Sequence, residues 1–264
     1  MRFTGPLAKM KTSLKDEVKY YLELGDDILF MNDLIGKRIR IEYTDEITCF
    51  CGKRVHEVFR MNFCRDCFFT KPEAGDSILR PELSKAHLGV EDRDLEWEKK
   101  HQIQPHLVYL ANSAGLKVGV TRLAQRPTRW IDQGAIEAIV LAETENRYEA
   151  GMIEVALKEH MSDKTPWQRM VKGEDVEIDL REEKEKAIQW VPEEFRSFVS
   201  SNDELTQIVY PVQEYPIKAK SINLEKHRGV EDVLVGIRGQ YLLFKSGSVL
   251  NVRSHEGRHV RLDV

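Results

Sequence analysis

Apolar residues are densest between Pro105 and Thr121. There His106-Leu107-Val108-Tyr109-Leu110-Ala111 and Leu116-Lys117-Val118-Gly119-Val120-Thr121 predict two short strands around an Asn112-Ser113-Ala114-Gly115 turn. Upstream, Lys37-Arg38-Ile39-Arg40-Ile41-Glu42-Tyr43 alternates polar and apolar, the pattern of a half-buried strand. Val18–Leu22 and Ile28–Met31 are further strand candidates split by Gly25-Asp26-Asp27, so residues 1–48 predict a small antiparallel sheet or barrel. Between residues 149 and 158 the period changes. Met152, Ile153, Ala156 and Leu157 form an apolar stripe at helical spacing, with Glu154 beside it. Past residue 208 the pattern returns to β. The run Leu234–Phe244, the turn Lys245-Ser246-Gly247 and the run Ser248–Arg253 predict a hairpin, and Val260–Val264 a last strand. We expect this β segment to pack with the N-terminal one and to enclose the central core.

The pattern divides the chain into an N-terminal β segment with a cysteine box and linker (1–104), a central α/β core (105–172), an acidic helical connector (173–207) and a C-terminal β segment (208–264). The fold class is α+β. In the linker, Pro72 to Asp76 and Arg80-Pro81-Glu82 are breaks, and Glu91–Lys100 predicts a short charged helix. The connector carries eleven acidic against four basic residues over 174–204. A solvated helix is the ordinary reading; it also offers a face to a basic protein partner or a cover for a basic patch.

Charge narrows the function. The net charge of -4 excludes nucleic-acid binding by overall charge. Locally, residues 106–131 hold Lys117, Arg122, Arg126 and Arg129 and no acidic residue, enough to hold a backbone phosphate of DNA or RNA. Trp130 in that patch is either a base-stacking surface or a core residue. No run is long enough to span a membrane, and the N-terminus has no apolar signal core, so a cytoplasmic protein without membrane contact is expected.

The four cysteines form a compact box, Cys49-Phe50-Cys51 and Cys64-Arg65-Asp66-Cys67, with twelve residues between the pairs. Each pair can put two thiolates on one turn, and a hairpin over 53–63 would bring the turns together around a structural Zn²⁺. A redox pair at Cys64 and Cys67, or buried thiols without metal, are the other readings. His56 and His87 lie close enough in sequence to substitute as ligands.

A strand tyrosine, a hairpin glycine, arginines after it and a lone glutamate on a helix make a layout suited to gripping a phosphodiester. It resembles the GIY-YIG endonuclease superfamily. Val108-Tyr109 stands at the end of the first motif and Lys117-Val118-Gly119 at the second. Thr121 and Arg126 keep the family's spacing, and Glu154 falls at its metal-binding carboxylate. Leu107 replaces the first motif's glycine and Lys117 the second motif's tyrosine, and no residue matches the late asparagine, for which Asp163 is a stand-in candidate. The whole chain also resembles an uncharacterised bacterial family with a cysteine box ahead of this core. The GIY-YIG resemblance implies a metal-dependent phosphodiester hydrolase. In it Glu154 holds Mg²⁺ or Mn²⁺, Arg126 and Arg129 neutralise the phosphate, Tyr109 positions or deprotonates water, and Lys117 assists. The same scaffold also suits a non-catalytic nucleic-acid binder. A protein-interaction adaptor is the third class.

Overall fold

The computed structural model describes residues 1–264 as a mixed α+β protein built on three sheets. The largest draws on both ends of the chain. Its strands run in the order Arg2–Pro6, Arg258–Asp263, Arg38–Thr48, Gly229–Arg238, Tyr241–Phe244, Ser248–Asn251 and Lys220–Ser221, with Arg54–Val55 paired to the long Arg38–Thr48 strand. Every ladder is antiparallel except the last, Lys220–Ser221 beside Ser248–Asn251. The expected packing of the terminal β segments is therefore closer than side-by-side contact, because they hydrogen-bond into one sheet.

Two sequence expectations change. Residues 1–48 do not make a sheet of their own. Lys11–Leu14, Val18–Leu24 and Asp27–Phe30 form a separate three-stranded sheet, while Arg2–Pro6 and Arg38–Thr48 join the C-terminal strands. The run Leu234–Phe244 is two strands, Gly229–Arg238 and Tyr241–Phe244, which turn at Gly239 with φ +62°. Arg238-Gly239-Gln240 breaks the apolar run at that turn, and all three residues are buried, so the polar side chains of Arg238 and Gln240 sit inside the protein and not in a solvent-exposed loop.

The central sheet has the order Thr206–Gln207, Glu137–Thr144, His106–Asn112 and Leu116–Arg122. His106–Asn112 is buried at every position. Leu107, Tyr109 and Ala111 face the main core shared with the large sheet, whereas Val108 and Leu110 face helices Arg147–Lys158 and Leu180–Ile188. Burial on both faces explains the unbroken apolar run, which in an antiparallel sheet would otherwise alternate. The predicted helix is present, and Ala150, Ile153 and Leu157 seat it on the sheet. Its Gly151 lies against the Pro81–Leu83 turn so closely that a Cβ there would stand 2.3 Å from the Glu82 nitrogen. The linker is thus a packed wall of short helices, and its predicted charged helix spans Leu95–Gln102. No helix is long and apolar enough to cross a membrane.

Arg238 joins the large sheet to the central core. Fully buried, its guanidinium donates to both Asp175 carboxylate oxygens at 2.6 and 2.7 Å and to the Gly134 carbonyl at 2.9 and 3.0 Å. Burial works against its charge, and Asp175 with the Tyr210 and Tyr215 rings more than offsets this, leaving its pKa raised. Asp175→Ala strands a buried cation, so urea denaturation should show a loss of roughly 3–5 kcal/mol. A loss below about 1 kcal/mol would show that the clamp does not hold the two sheets together.

Candidate functional site

A cavity of about 400 Å³ opens where the central hairpin, the Arg147–Lys158 helix, the linker and loops near the two chain ends meet. Its lining includes seven basic side chains and three acidic ones, a reversal of the chain's overall acidity. Four of the five side chains expected from the sequence reach it: Tyr109, Lys117, Arg129 and Glu154.

Tyr109 is completely buried, and its hydroxyl donates to Gln133 Oε1 at 2.6 Å. The strand register sets Tyr109 opposite Gly119, and a Cβ at 119 would lie 2.6 Å from the phenol oxygen. The missing side chain at 119 is therefore what leaves the ring its place. Burial raises the phenol pKa to about 12, with the Arg129 cation pulling the other way. The phenol is neutral near pH 7 and serves as a donor.

Lys117 is 4% exposed, and its ammonium donates to Thr165 Oγ1 at 3.2 Å. Burial lowers its pKa to about 8, and the Arg129 charge adds to the effect. Glu154 is 7% exposed and accepts from Lys158 Nζ at 3.0 Å. Burial raises its carboxyl pKa against the pull of Lys158. Lys158 also lies 3.4 Å from Asp163, so two carboxylates share one ammonium at the cavity wall.

Arg126 lies outside this lining. Its guanidinium sits over the Trp130 ring, 5.2 Å from the centroid, and reaches Thr206 Oγ1 at 3.5 Å. Trp130 itself is fully buried in the main core, 5.8 Å from the Tyr109 ring, and offers no face to a base. Sequence reasoning missed Arg147 and Lys158. Both stand on the Glu154 helix, seven positions before and four after it, spacings that return to the same face. Arg147 also binds the linker through the Ser77 and Ile78 carbonyls at 2.8 Å, and burial lowers its pKa to about 10. The linker's contribution, Trp97 and His101 stacked at 3.9 Å, carried no motif.

The cysteines form a second centre. All four are free thiols, and their Sγ atoms lie within 4.8 Å of one another. A tetrahedral Zn–S₄ shell with bonds of about 2.3 Å needs sulfurs about 3.8 Å apart, a small contraction. Cys49 Sγ also accepts the Cys64 N–H at 3.1 Å, which orients it as a ligand. The Lys53 N–H lowers the Cys51 thiol to about 7, while burial pushes Cys67 up to about 12. Four thiolates at this spacing need a cation to coexist. The residues thus fit structural zinc, with no place left for substrate in a closed Cys₄ shell. His87 stacks on Tyr148 at 4.5 Å, and His56 is not in the cluster.

Fold and sites together define a mixed α+β protein with a cysteine cluster able to hold zinc and a basic cleft beside its central hairpin. The chain belongs to the family described as Protein of unknown function (DUF2797), whose model matches residues 36–260. Neither a curated protein nor a solved structure matches it.

Two outcomes follow. Elemental analysis of the full chain should give one zinc per molecule, and Cys64→Ser or Cys67→Ser should lose the ion and lower the thermal midpoint; a full complement of zinc in both variants would exclude this centre. Lys117→Met should stabilise the protein by roughly 1–3 kcal/mol at pH 7, because it removes a charge held in a buried place. Lys117 binds its proton more weakly folded than unfolded, so the wild-type deficit is full below about pH 8 and fades from there toward the free-lysine range near 10.5. A gain that is absent, or that does not shrink across that window, would contradict the burial argument.

Proposed function

We propose that the cleft binds a nucleic-acid phosphodiester and hydrolyses it with the aid of a divalent cation. The observation that carries this reading is the meeting of Tyr109, Lys117, Arg129 and Glu154 in one basic cavity, although they come from separate elements of an acidic chain. The reading follows the GIY-YIG-like pattern of the sequence, with one change: the phosphate role falls to Arg129 and not to Arg126, which kept the pattern's spacing.

Arg129 and Arg147 neutralise the phosphate oxygens, and a guanidinium fork suits them better than an ammonium. Tyr109, neutral and fixed by Gln133, orients the attacking water through its hydroxyl. Lys117 releases a proton near pH 8 and is placed to take one from that water. Glu154, with Asp163 beside it, offers hard oxygen donors for Mg²⁺ or Mn²⁺. One or two carboxylates are the usual protein share when phosphate completes the shell. When bound, the ion supplies charge stabilisation of the leaving oxygen.

A second reading has its own support: Lys158 already neutralises Glu154, and Lys117 stands where the pattern has a tyrosine. On that reading the cleft binds nucleic acid without cutting it. A protein partner on the acidic 174–204 segment is compatible with either reading, since Leu180 and Ala187 seat that helix and leave its carboxylates outward.

Incubation of the full chain with single- and double-stranded DNA and RNA, with Mg²⁺ or Mn²⁺ and with none, tests the proposal. Metal-dependent cleavage should fall about a hundredfold or more in Glu154→Gln and in Arg129→Ala. Cleavage indifferent to both substitutions would remove the cleft from the chemistry; tight binding without cleavage would select the second reading.

A further inference from the structure

The cysteine box carries an aromatic surface that its metal centre does not require. Phe59 and Phe69 are 44% and 57% exposed, and they pack with Phe68 at centroid distances of 5.2 to 5.6 Å. The Arg60 guanidinium caps the group, 5.6 Å from the Phe59 ring and 5.8 Å from the Phe68 ring. Arg65 and Lys71, exposed on and just after the helix that carries Phe68 and Phe69, pair with no carboxylate, and the segment 53–71 holds five Lys and Arg against the two exposed acids Glu57 and Asp66. An aromatic cluster left open to water is unfavourable unless something covers it. A local excess of cations beside exposed rings narrows the occupant to something anionic that has flat faces.

The box also runs into the cleft. Arg60 and Phe63 bridge a tight turn in which Met61 and Asn62 both take left-handed backbone, φ 51° and 62°. Side chains disfavour that conformation, and methionine gains nothing from it locally. The turn is held from outside: Asn62 donates to the Arg253 carbonyl at 3.0 Å and accepts from Arg258 at 2.7 Å. The held turn sets Met61 in the cavity wall. Arg93 fixes the other end of the box, donating to the Phe68 and Lys71 carbonyls at 2.7 and 2.8 Å.

We infer that the Phe59–Phe69 surface stacks the bases of a single-stranded nucleic acid and leads its backbone past Met61 into the cleft. The inference rests on the phosphodiester reading of the cleft and adds the substrate class, an unpaired strand. Stacking on phenylalanine is open to any base with a free face, which bases inside a duplex do not have. Arg60 at the rings and the neighbouring Arg65 and Lys71 track the phosphates, and the stacked Trp97–His101 pair gives a further flat surface within the cleft.

The test uses the full chain with Glu154→Gln, so that the strand stays whole, titrated with labelled dT20, rU20, the dT20–dA20 duplex and an abasic strand of equal length. dT20 and rU20 should bind more tightly than the duplex. Phe59→Ala and Phe69→Ala should each weaken them about fivefold or more and leave the abasic strand unchanged. Arg60→Glu and Arg65→Glu, both at exposed positions, should weaken all four. Zinc content and thermal midpoint identify variants that remain folded. The inference is overturned if folded Phe variants bind dT20 and rU20 as tightly as their parent, if the duplex is preferred, or if no oligonucleotide binds and the surface is left to a protein. Cleavage by the otherwise unaltered chain that ignores Glu154→Gln, alongside base-dependent loss of binding in the Phe variants, would remove the cleft mechanism and keep the stacking surface.

Discussion

A buried guanidinium fixes how the two main sheets meet. Arg238 comes from the large sheet, Gly134 from the turn after the Thr128–Asp132 helix, and Asp175 from the start of the acidic connector. Gln133 stands next to Gly134 in the chain, and it is Gln133 that receives the Tyr109 hydroxyl. The same turn holds Asp132, which pairs with Lys9 at 2.5 Å and accepts from Gln240 at 3.0 Å. One network therefore ties the chain's beginning, middle and end. A cleft walled by elements from distant parts of the chain keeps a fixed width only if such a tie resists the water that its own charges attract.

Within that frame the cleft carries charge in places where burial is unfavourable. Lys117 and Glu154 are nearly enclosed, and burial pushes both toward their neutral forms. Neither is needed for packing: the helix is seated by Ala150, Ile153 and Leu157, and the hairpin by its apolar partners. Keeping an ionisable group in an unfavourable place that packing does not need is what makes this cleft the candidate site. The cysteine cluster differs, since zinc would repay its charge within the box and leave it a structural part.

The elements near the centre were legible because hydrophobic period and turn chemistry act over a few residues. The Asn112–Gly115 turn, the Arg147–Lys158 helix and the cysteine spacing are of that kind. Long-range pairing was not. Nothing in Arg2–Pro6 says that it pairs with Arg258–Asp263. The residues that line the cleft were legible to the same depth. Tyr109, Lys117 and Glu154 stood at positions of the resemblance and Arg129 came in only beside Arg126, which kept the spacing, whereas Arg147 was hidden because it rests on a helix face meeting a linker wall. Arg126 and Arg129 are three residues apart, and only the short Thr128–Asp132 helix separates a side chain over Trp130 from one in the cleft.

The central claim is that charges gathered in this cleft engage backbone phosphates. The salt dependence of oligonucleotide affinity counts those contacts. On a single strand, Arg129→Ala should lower the slope of log K against log salt by about 0.7, the share of one phosphate, while Arg126→Ala leaves the slope as it was. A slope that Arg129→Ala does not change, or that Arg126→Ala lowers instead, would contradict the account.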